Sequence, residues 1–276
     1  TNPTLGAKYL GDEHGWAIRL SDDNHMYNSH QNAVLFMSSD GSGNYNENAV
    51  VATEAQAIVP GQWNHIAVTK KGTSVEIYIN GILSVLTDNT GATIAAGTVA
   101  VADIEGSGGG ALGSIFVGRT MNPTYTEWGN DYQGELDDLF ISNQWMNGDR
   151  ITDLYNAQMG VVEPVAYWSM DGGVGTHVHD GVTQPFAYWG LEENTGTALG
   201  EPVGGYTGTM YSSWTTEGYK GNALEFDGSN DYATLPSATG INGKKTFSAW
   251  FKFDEGCSSG DSGAYLIAYD SIDSKD

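Results

Sequence analysis

Short stretches in which apolar and polar residues alternate run through most of the chain, and this spacing is typical of β-strands. Residues 75–79 read Val-Glu-Ile-Tyr-Ile, which predicts a strand with one face toward a core. Asn80 and Gly81 follow, and this pair favours a two-residue type I′ hairpin because both residues tolerate positive φ. Residues 82–86 are then predicted to return as the partner strand.

The same spacing predicts several further strands, and one stretch has helical spacing. Predicted strands include residues 65–69, 115–118 and 136–142. Residues 148–158 predict a helix with Asp149 as its N-cap and with apolar residues on one face, namely Ile151, Leu154 and Tyr155. One short helix among roughly a dozen strands predicts an all-β sandwich.

The charge balance narrows the choice of partners. Eleven Lys and Arg residues stand against 34 Asp and Glu residues, a formal net charge of −23 over 276 residues. Nucleic acids and anionic membrane surfaces need basic patches, so we expect neither as a partner. No apolar run approaches the ~20 residues of a membrane span, so membrane insertion is not expected. Cys257 is the one cysteine, which excludes an internal disulfide.

The order of motifs resembles that of a known fold. A strand beginning Trp-Asn-His-Ile at residue 63 precedes Glu-Ile-Tyr-Ile-Asn-Gly at residues 76–81, and Gly-Glu-Leu-Asp-Asp-Leu at residues 134–139 precedes a short helix. Taken together, these motifs resemble the laminin-G-like, concanavalin A-like jelly roll over residues 15–158. The resemblance implies a jelly-roll sandwich and covers roughly the last two-thirds of such a domain.

The later part of the chain resembles the opening of the same family. Residues 186–196 resemble the first strand, residues 221–232 the next strand pair and residues 246–252 a central strand. Residues 165–172, Val-Ala-Tyr-Trp-Ser-Met-Asp-Gly, read as an earlier partial copy of the opening strand. The sequence thus places the back part of a sandwich before a front part.

This order predicts three segments. Residues 1–160 would be the C-terminal two-thirds of a laminin-G-like jelly roll, 161–185 a linker with the partial repeat, and 186–276 the N-terminal strands. Three arrangements fit: a tandem array cut in mid-domain, a permuted single domain, or completion by a neighbouring chain. Because half a sandwich exposes unpaired edges and an apolar face, we expect the segments to complete each other within one chain or along a filament.

The residues Glu135-Leu136-Asp137-Asp138 resemble the Glu-x-Asp-x-x-Glu triplet of jelly-roll β-glucanases. Those enzymes need two carboxylates on one strand, a nucleophile and an acid/base. Phe140 stands where the second Glu belongs. We therefore expect no catalytic residues and no enzymatic activity.

The resemblance also implies a structural calcium ion, because jelly rolls of this superfamily often hold Ca²⁺ on the convex sheet. Calcium binds six to eight oxygens from carboxylates and carbonyls. The matching positions are Asp137 and Asp138 on one strand and the turn at Asp227 and Gly228. If the two positions meet, the ion would join the front and back parts.

One loop concentrates residues suited to carbohydrate. Tyr125, Trp128, Asn130 and Tyr132 lie together before the strand that starts at Gly134. Exposed aromatic rings beside amide groups are typical of sugar sites, although a loop that packs its own aromatic rings has the same composition. This loop is the predicted ligand-binding patch.

Two functions stay open at this stage. One is a non-catalytic extracellular structural protein, a repeat or subunit of a surface filament or adhesive stalk that self-associates by strand complementation. The other is a carbohydrate- or protein-binding module of a secreted multidomain protein. A fold does not choose between such functions, but the inverted order of the parts favours the filament.

Overall fold

The computed structural model describes twelve stretches of the chain: residues 14–21, 32–40, 50–54, 56–87, 92–94, 115–119, 131–142, 144–158, 187–200, 205–236, 245–254 and 264–270.

The first part of the chain, here called the head, supplies ten strands and the helix. They are β1 His14–Ser21, β2 Ala33–Asp40, β3 Val50–Thr53, β4 Asn64–Lys71, β5 Ser74–Ile79, β6 Ile82–Leu83, β7 Leu86–Thr87, β8 Thr93–Ile94, β9 Ile115–Val117, β10 Gln133–Ser142 and α1 Gly148–Gln158.

The later part, here called the tail, supplies eight strands. They are β11 Ala187–Trp189, β12 Ala198–Leu199, β13 Gly208–Tyr211, β14 Ser213–Thr215, β15 Ala223–Asp227, β16 Tyr232–Leu235, β17 Lys245–Phe253 and β18 Ala264–Asp270.

These strands form two antiparallel sheets, which confirms the predicted all-β sandwich with one helix. Sheet A has the order β12-β13-β16-β9-β18-β1-β2-β3-β7-β8, and sheet B has the order β14-β15-β10-β17-β4-β5-β6, with β11 paired to β10. Strand β18 of the tail lies between β9 and β1 of the head. Strand β17 lies between β10 and β4 in the same way. Head and tail strands of one chain therefore share both sheets, while the predicted linker at 161–185, with its partial repeat at 165–172, lies outside the described residues.

The core fills the space between the sheets. Alternate residues of each strand point inward, so that Ile18 of β1 and Leu266 of β18 meet Val68 of β4 and Phe251 of β17 in one buried apolar cluster. Head and tail contribute to this cluster alike, because their strands alternate in both sheets.

The predicted hairpin at Asn80 and Gly81 is present, with φ of 52° and 77° and Ile79 paired to Ile82. Its returning strand is shorter than the predicted 82–86, since β6 ends at Leu83 and Leu86 pairs with β3 in the other sheet. The chain crosses between the sheets here, so one continuous strand cannot form.

Helix α1 has the predicted bounds and covers part of the outward face of sheet B. Ile151 is buried against Tyr78 and Phe140. The predicted N-cap, Asp149, is wrong: the Asn147 side chain accepts a hydrogen bond from the Arg150 N–H at 3.2 Å. Asn147 is the cap because its side chain reaches the third N–H after it.

Candidate functional site

The strand that carries Asp137 and Asp138 is interrupted at these residues. The pairing of β10 with β17 shifts between Asp137 and Phe140, and Asp138 has φ of 54°. Such a bulge inserts an extra residue and redirects side chains. Asp137 and Asp138 are consequently both buried on the same strand.

Both carboxylates accept hydrogen bonds from other groups of the protein. Asp137 accepts hydrogen bonds from the Asp138 N–H at 2.7 Å and from the Lys220 N–H at 2.9 Å. Asp138 accepts a hydrogen bond from the Tyr188 hydroxyl. Lys220 and Tyr188 belong to the tail, so these two aspartates of the head bind to tail segments.

Burial dominates the electrostatics of this pair. The pKa of Asp137 is raised to about 7, mainly because burial removes the carboxylate from water and also because of the charges of Asp138 and Glu192, while the hydrogen bond from Lys220 opposes the shift. Burial also raises the pKa of Asp138. Burial and nearby negative charges disfavour the ionised form of these carboxylates. A cation bound beside them would favour the ionised form.

The other predicted metal residues lie elsewhere. Asp227 pairs with Gln133 in the register of β15 on β10, four residues before Asp137, which corresponds to about 13 Å along a strand. Gly228 packs on Gln133. The structure therefore does not bring the two pairs to one ion, and the part of the chain that it describes contains no group of three or more His, Cys, Asp or Glu side chains placed to hold a metal.

Tyr132, one of the four predicted ligand-binding residues, is fully buried. Its hydroxyl lies 2.9 Å from the carbonyl oxygens of Glu135 and Lys252, and its ring packs edge-on against Phe226 and Phe251. A ring in this position holds strands together and is not accessible to a ligand, which corrects its predicted exposure. Tyr125, Trp128 and Asn130 lie outside the described residues.

The glucanase-like positions also have structural partners. Glu135 forms an ion pair with Lys252 at 2.7 Å. Phe140 is buried beneath α1. Glu135, Asp137 and Asp138 thus each contact other groups of the protein.

A surface that the sequence analysis did not identify lies on the outward face of sheet A. Tyr211 and Tyr232 are directly opposite on β13 and β16, and their rings stack with centroids 4.5 Å apart at 21°. Phe116 of β9 follows, 6.2 Å from the Tyr232 ring. We call these three residues the aromatic platform, and its outermost ring, Tyr211, is 54% exposed.

The platform follows from strand alternation. Met210 and Ala233 point into the core, so that their neighbours Tyr211 and Tyr232 must point outward. The alternation was readable in the sequence, but the pairing of β13 with β16 was not, because it depends on which strands become neighbours.

One end of the platform is bounded by an ion pair. The Arg119 side chain lies 3.5 Å from Asp131 and 5.7 Å from the centre of the Tyr232 ring. Asp131 in turn accepts a hydrogen bond from the Asn230 N–H at 2.8 Å. Arg119 and Asp131 therefore both lie beside the platform.

A sandwich of two large antiparallel sheets with one helix on the outward face of one sheet is the architecture of a concanavalin A-like domain. Residues 5–152 match the laminin-G-type family described as the concanavalin A-like lectin/glucanases superfamily. The match spans more than half of the chain, and the chain belongs to this family, as its motifs predicted. Comparison with curated proteins and with solved structures finds no match.

Laminin-G-like domains are generally non-catalytic binding modules and are typically extracellular. The helix among the described residues, α1, is not long and apolar enough to cross a bilayer.

Proposed function

We propose that this protein is a non-catalytic extracellular binding module whose aromatic platform contacts carbohydrate. The observation that carries the proposal is the stacked pair of Tyr211 and Tyr232 on the outward face of sheet A. Tyrosine rings offer an apolar surface with a polar hydroxyl group, which suits a ligand that is apolar on one face and polar at its edges. Thr209 and Thr234 lie on the same face of the same two strands and add hydroxyl groups.

The exposure of the platform supports a ligand more than a packing role. Tyr211 is 54% exposed, whereas the aromatic rings of the core are fully buried. Stacking on Tyr232 fixes the Tyr211 ring, so that little side-chain freedom remains to be lost on binding.

A glycan array with the purified chain tests this function, followed by calorimetry on the best ligand. We expect Tyr211→Ala to weaken binding about tenfold, because a flat contact of one ring is worth about 1 kcal/mol or more. Ile82→Ala, which alters an exposed side chain on sheet B, is the matched control and should bind like the wild type. Unchanged binding by Tyr211→Ala would reject the platform, and an array without hits would reject the glycan function.

A second function, the structural one, also has support in a specific observation. The tail strands β17 and β18 occupy interior positions of the two sheets, so a head that received its tail from a neighbouring copy would make the same pairings. Repeated exchange of this kind would give a filament or adhesive stalk by strand addition. Light scattering at micromolar concentration tests it: a series of oligomers is expected for exchange, and a monomer with a cooperative melt contradicts it.

Structural calcium is a separate proposal. Asp137 and Asp138 are adjacent and buried, so that these two carboxylates would be the side-chain ligands and backbone carbonyls would have to supply the remaining oxygens. Such an ion would hold the tail segment around Lys220 against the head.

A further inference from the structure

The stretch that forms β11 has a close copy earlier in the chain. Residues 185–192 read Pro-Phe-Ala-Tyr-Trp-Gly-Leu-Glu, and residues 164–171 read Pro-Val-Ala-Tyr-Trp-Ser-Met-Asp. Four of these eight positions are identical, and the other four exchange apolar for apolar, small for small or acidic for acidic residues. We call residues 164–171 the repeat segment, which lies outside the described residues.

The contacts of β11 use the side chains that the two stretches share. Its three residues pair with residues 139–141 of β10. Ala187 and Trp189 are buried in the core between the sheets, and the Tyr188 hydroxyl donates to Asp138 on the outward side. The repeat segment has the same Ala-Tyr-Trp triplet at residues 166–168, so it carries every side chain that these contacts need.

The positions that differ also fit the site. A Cβ at Gly190 would lie 3.5 Å from the Tyr188 hydroxyl oxygen, an ordinary contact distance, so the corresponding Ser169 has room. Leu191 is buried in the core, and cores tolerate the replacement of leucine by methionine, which is the residue at Met170. The site on β10 therefore accepts the repeat segment without a steric clash at these positions.

The lengths of the connecting segments favour neither stretch. With β11 as observed, 28 residues (159–186) join α1 to the strand and eight residues (190–197) join it to β12. With residues 166–168 in its place, the two connections would be seven residues (159–165) and 29 residues (169–197). Because the entropy cost of a loop rises with the logarithm of its length, the total cost is nearly the same when the short and the long connection change places.

The shorter connection can span the distance that it would have to cover. The end of α1 already lies at the site, since the Gln158 side chain donates to the Asp138 carbonyl at 3.5 Å. Seven extended residues reach about 24 Å, which is far more than the few residues of β10 that separate Asp138 from Ile141. Residues 166–168 can thus reach β10 directly from the helix.

Two hydrogen bonds favour the stretch that the structure shows in the site. The Glu192 carboxylate accepts from the Asn222 N–H at 3.0 Å, and the Glu193 carboxylate accepts from the Gly200 N–H at 2.6 Å. The repeat segment has the shorter Asp171 at the first position and is followed by a glycine at the second. The observed arrangement should therefore be the more populated one.

We propose that β10 accepts either stretch of the same chain, so that the protein exchanges between two registers. Residues 187–189 hold the β11 position in the major register, and residues 166–168 hold it in the minor register. In the minor register residues 186–193 leave the sandwich, which stays closed because the repeat segment takes their place. This inference goes beyond the proposed binding function and does not depend on it.

Disulfide trapping in the Cys257→Ser protein distinguishes the registers. Ile141→Cys with Ala187→Cys reports the major register, because these residues are directly opposite, and Ile141→Cys with Ala166→Cys reports the minor one. Opposite residues of antiparallel strands have Cα atoms about 4.5–5.5 Å apart, within the range of a disulfide. In a glutathione buffer we expect both disulfides in monomers. Ile141→Cys with Val174→Cys, in the same linker but outside the repeat segment, is the matched control and should form several-fold less.

The balance of the registers can also be shifted. Glu193→Gly should raise the fraction of the 141–166 disulfide about two- to tenfold, the range for loss of one hydrogen bond in the major register. Glu217→Gly changes an exposed glutamate elsewhere in the tail, so it is the matched control and should leave the fraction unchanged. An unchanged fraction in Glu193→Gly would contradict the exchange.

A double-mutant cycle tests the exchange without a crosslink. Trp189→Ala removes a core side chain of the major register, and Trp168→Ala removes its counterpart in the minor one. We expect Trp168→Ala to lower the urea midpoint of the Trp189→Ala protein more than that of the wild type, because only in the former does the repeat segment hold the site. Equal effects in both backgrounds would overturn the proposal.

The crosslinks can overturn it independently, even if Trp189→Ala fails to fold. A 141–166 disulfide no more abundant than the 141–174 control would show that the repeat segment does not reach β10. A 141–166 disulfide found only in covalent dimers would show exchange between copies, which overturns exchange within one chain.

Discussion

Trp16 of β1 packs on Phe247 of β17 with ring centroids 4.3 Å apart at 39°. Trp16 belongs to the head and to sheet A, and Phe247 belongs to the tail and to sheet B. Both side chains are buried, at 1% and 3% exposure. This one contact joins the two sheets and the two parts of the chain, so the stability of the sandwich depends on the tail being in place.

Phe247→Ala is expected to destabilise the protein by about 3–5 kcal/mol, the range for removing a large aromatic side chain from a core. Urea unfolding followed by tryptophan fluorescence measures the effect. Tyr211→Ala, at a half-exposed position, should change stability by less than about 1 kcal/mol. Similar losses in both variants would contradict a core that depends on the head–tail contact.

Two glycines offer a sharper test, Gly81 in the turn between β5 and β6 and Gly72 in the turn between β4 and β5. Gly81 has φ of 77°, and a Cβ there would lie 2.9 Å from Cδ1 of Tyr155 in α1. Gly72 has φ of 59°, but a Cβ there meets nothing within 4 Å. Gly72→Ala should cost about 1–2 kcal/mol for the left-handed backbone alone.

Gly81→Ala should cost about 1–3 kcal/mol more, because the added methyl group also displaces Tyr155. Thermal unfolding of the two variants side by side measures this difference. Equal melting temperatures would mean that α1 moves away from the hairpin without loss.

His65 predicts a pH dependence of stability. It is fully buried, and its Nε2 lies 2.6 Å from the Ser248 hydroxyl. Burial lowers its pKa to about 3 from 6.5, and the Gln158 side chain opposes this shift. The unfolded state therefore takes up a proton below pH 6.5 that the folded state does not, so this stability is complete above pH 6.5 and is lost as the pH falls toward 3.

His65→Gln isolates this effect from the carboxylates that titrate in the same range. Asp137 acts in the opposite direction, since its raised pKa means that the folded state binds a proton first as the pH falls below about 7. Between about pH 7.5 and pH 5, the wild type should lose about 2 kcal/mol relative to His65→Gln. A constant difference between the two proteins would contradict the buried neutral imidazole.

Calcium is expected to raise the melting temperature if it binds at Asp137 and Asp138. An excess of one hundred times the dissociation constant would add about 2.7 kcal/mol. Differential scanning fluorimetry in Ca²⁺ and in chelator measures the shift. Asp137→Asn should abolish the shift in melting temperature. Asp227→Asn should retain it, because Asp227 pairs with Gln133 and lies away from Asp137. No shift in the wild type would reject the calcium proposal.

Local features of the fold were readable from the chain itself. The alternation at residues 75–79, the turn at Asn80 and Gly81, and the bounds of α1 depend on neighbouring residues, and the structure has all of them. The cap at Asn147 was missed because Asn147 and Asp149 are both good capping residues, and only the geometry of the first turn selects between them.

The candidate site was harder to predict because its members are far apart in sequence. Tyr132 and Tyr211 are both tyrosines near turns, yet the first is fully buried and the second is 54% exposed. What separates them is the partner strand. Tyr132 reaches the carbonyl of Lys252 across the core, whereas Tyr211 lies on the outward face beside Tyr232.

The sequence by itself determined the strand and helix elements, the acidic surface and membership of the concanavalin A-like family, since periodicity, composition and local motifs are properties of short stretches. Only the tertiary structure decided that head and tail strands alternate in both sheets, that Asp137 and Asp227 lie apart, and that Tyr211 meets Tyr232. These outcomes depend on strand pairing between residues as far apart in sequence as Gly15 and Asp270, and the free energy of such pairing comes from burial of the shared core, which no short stretch encodes.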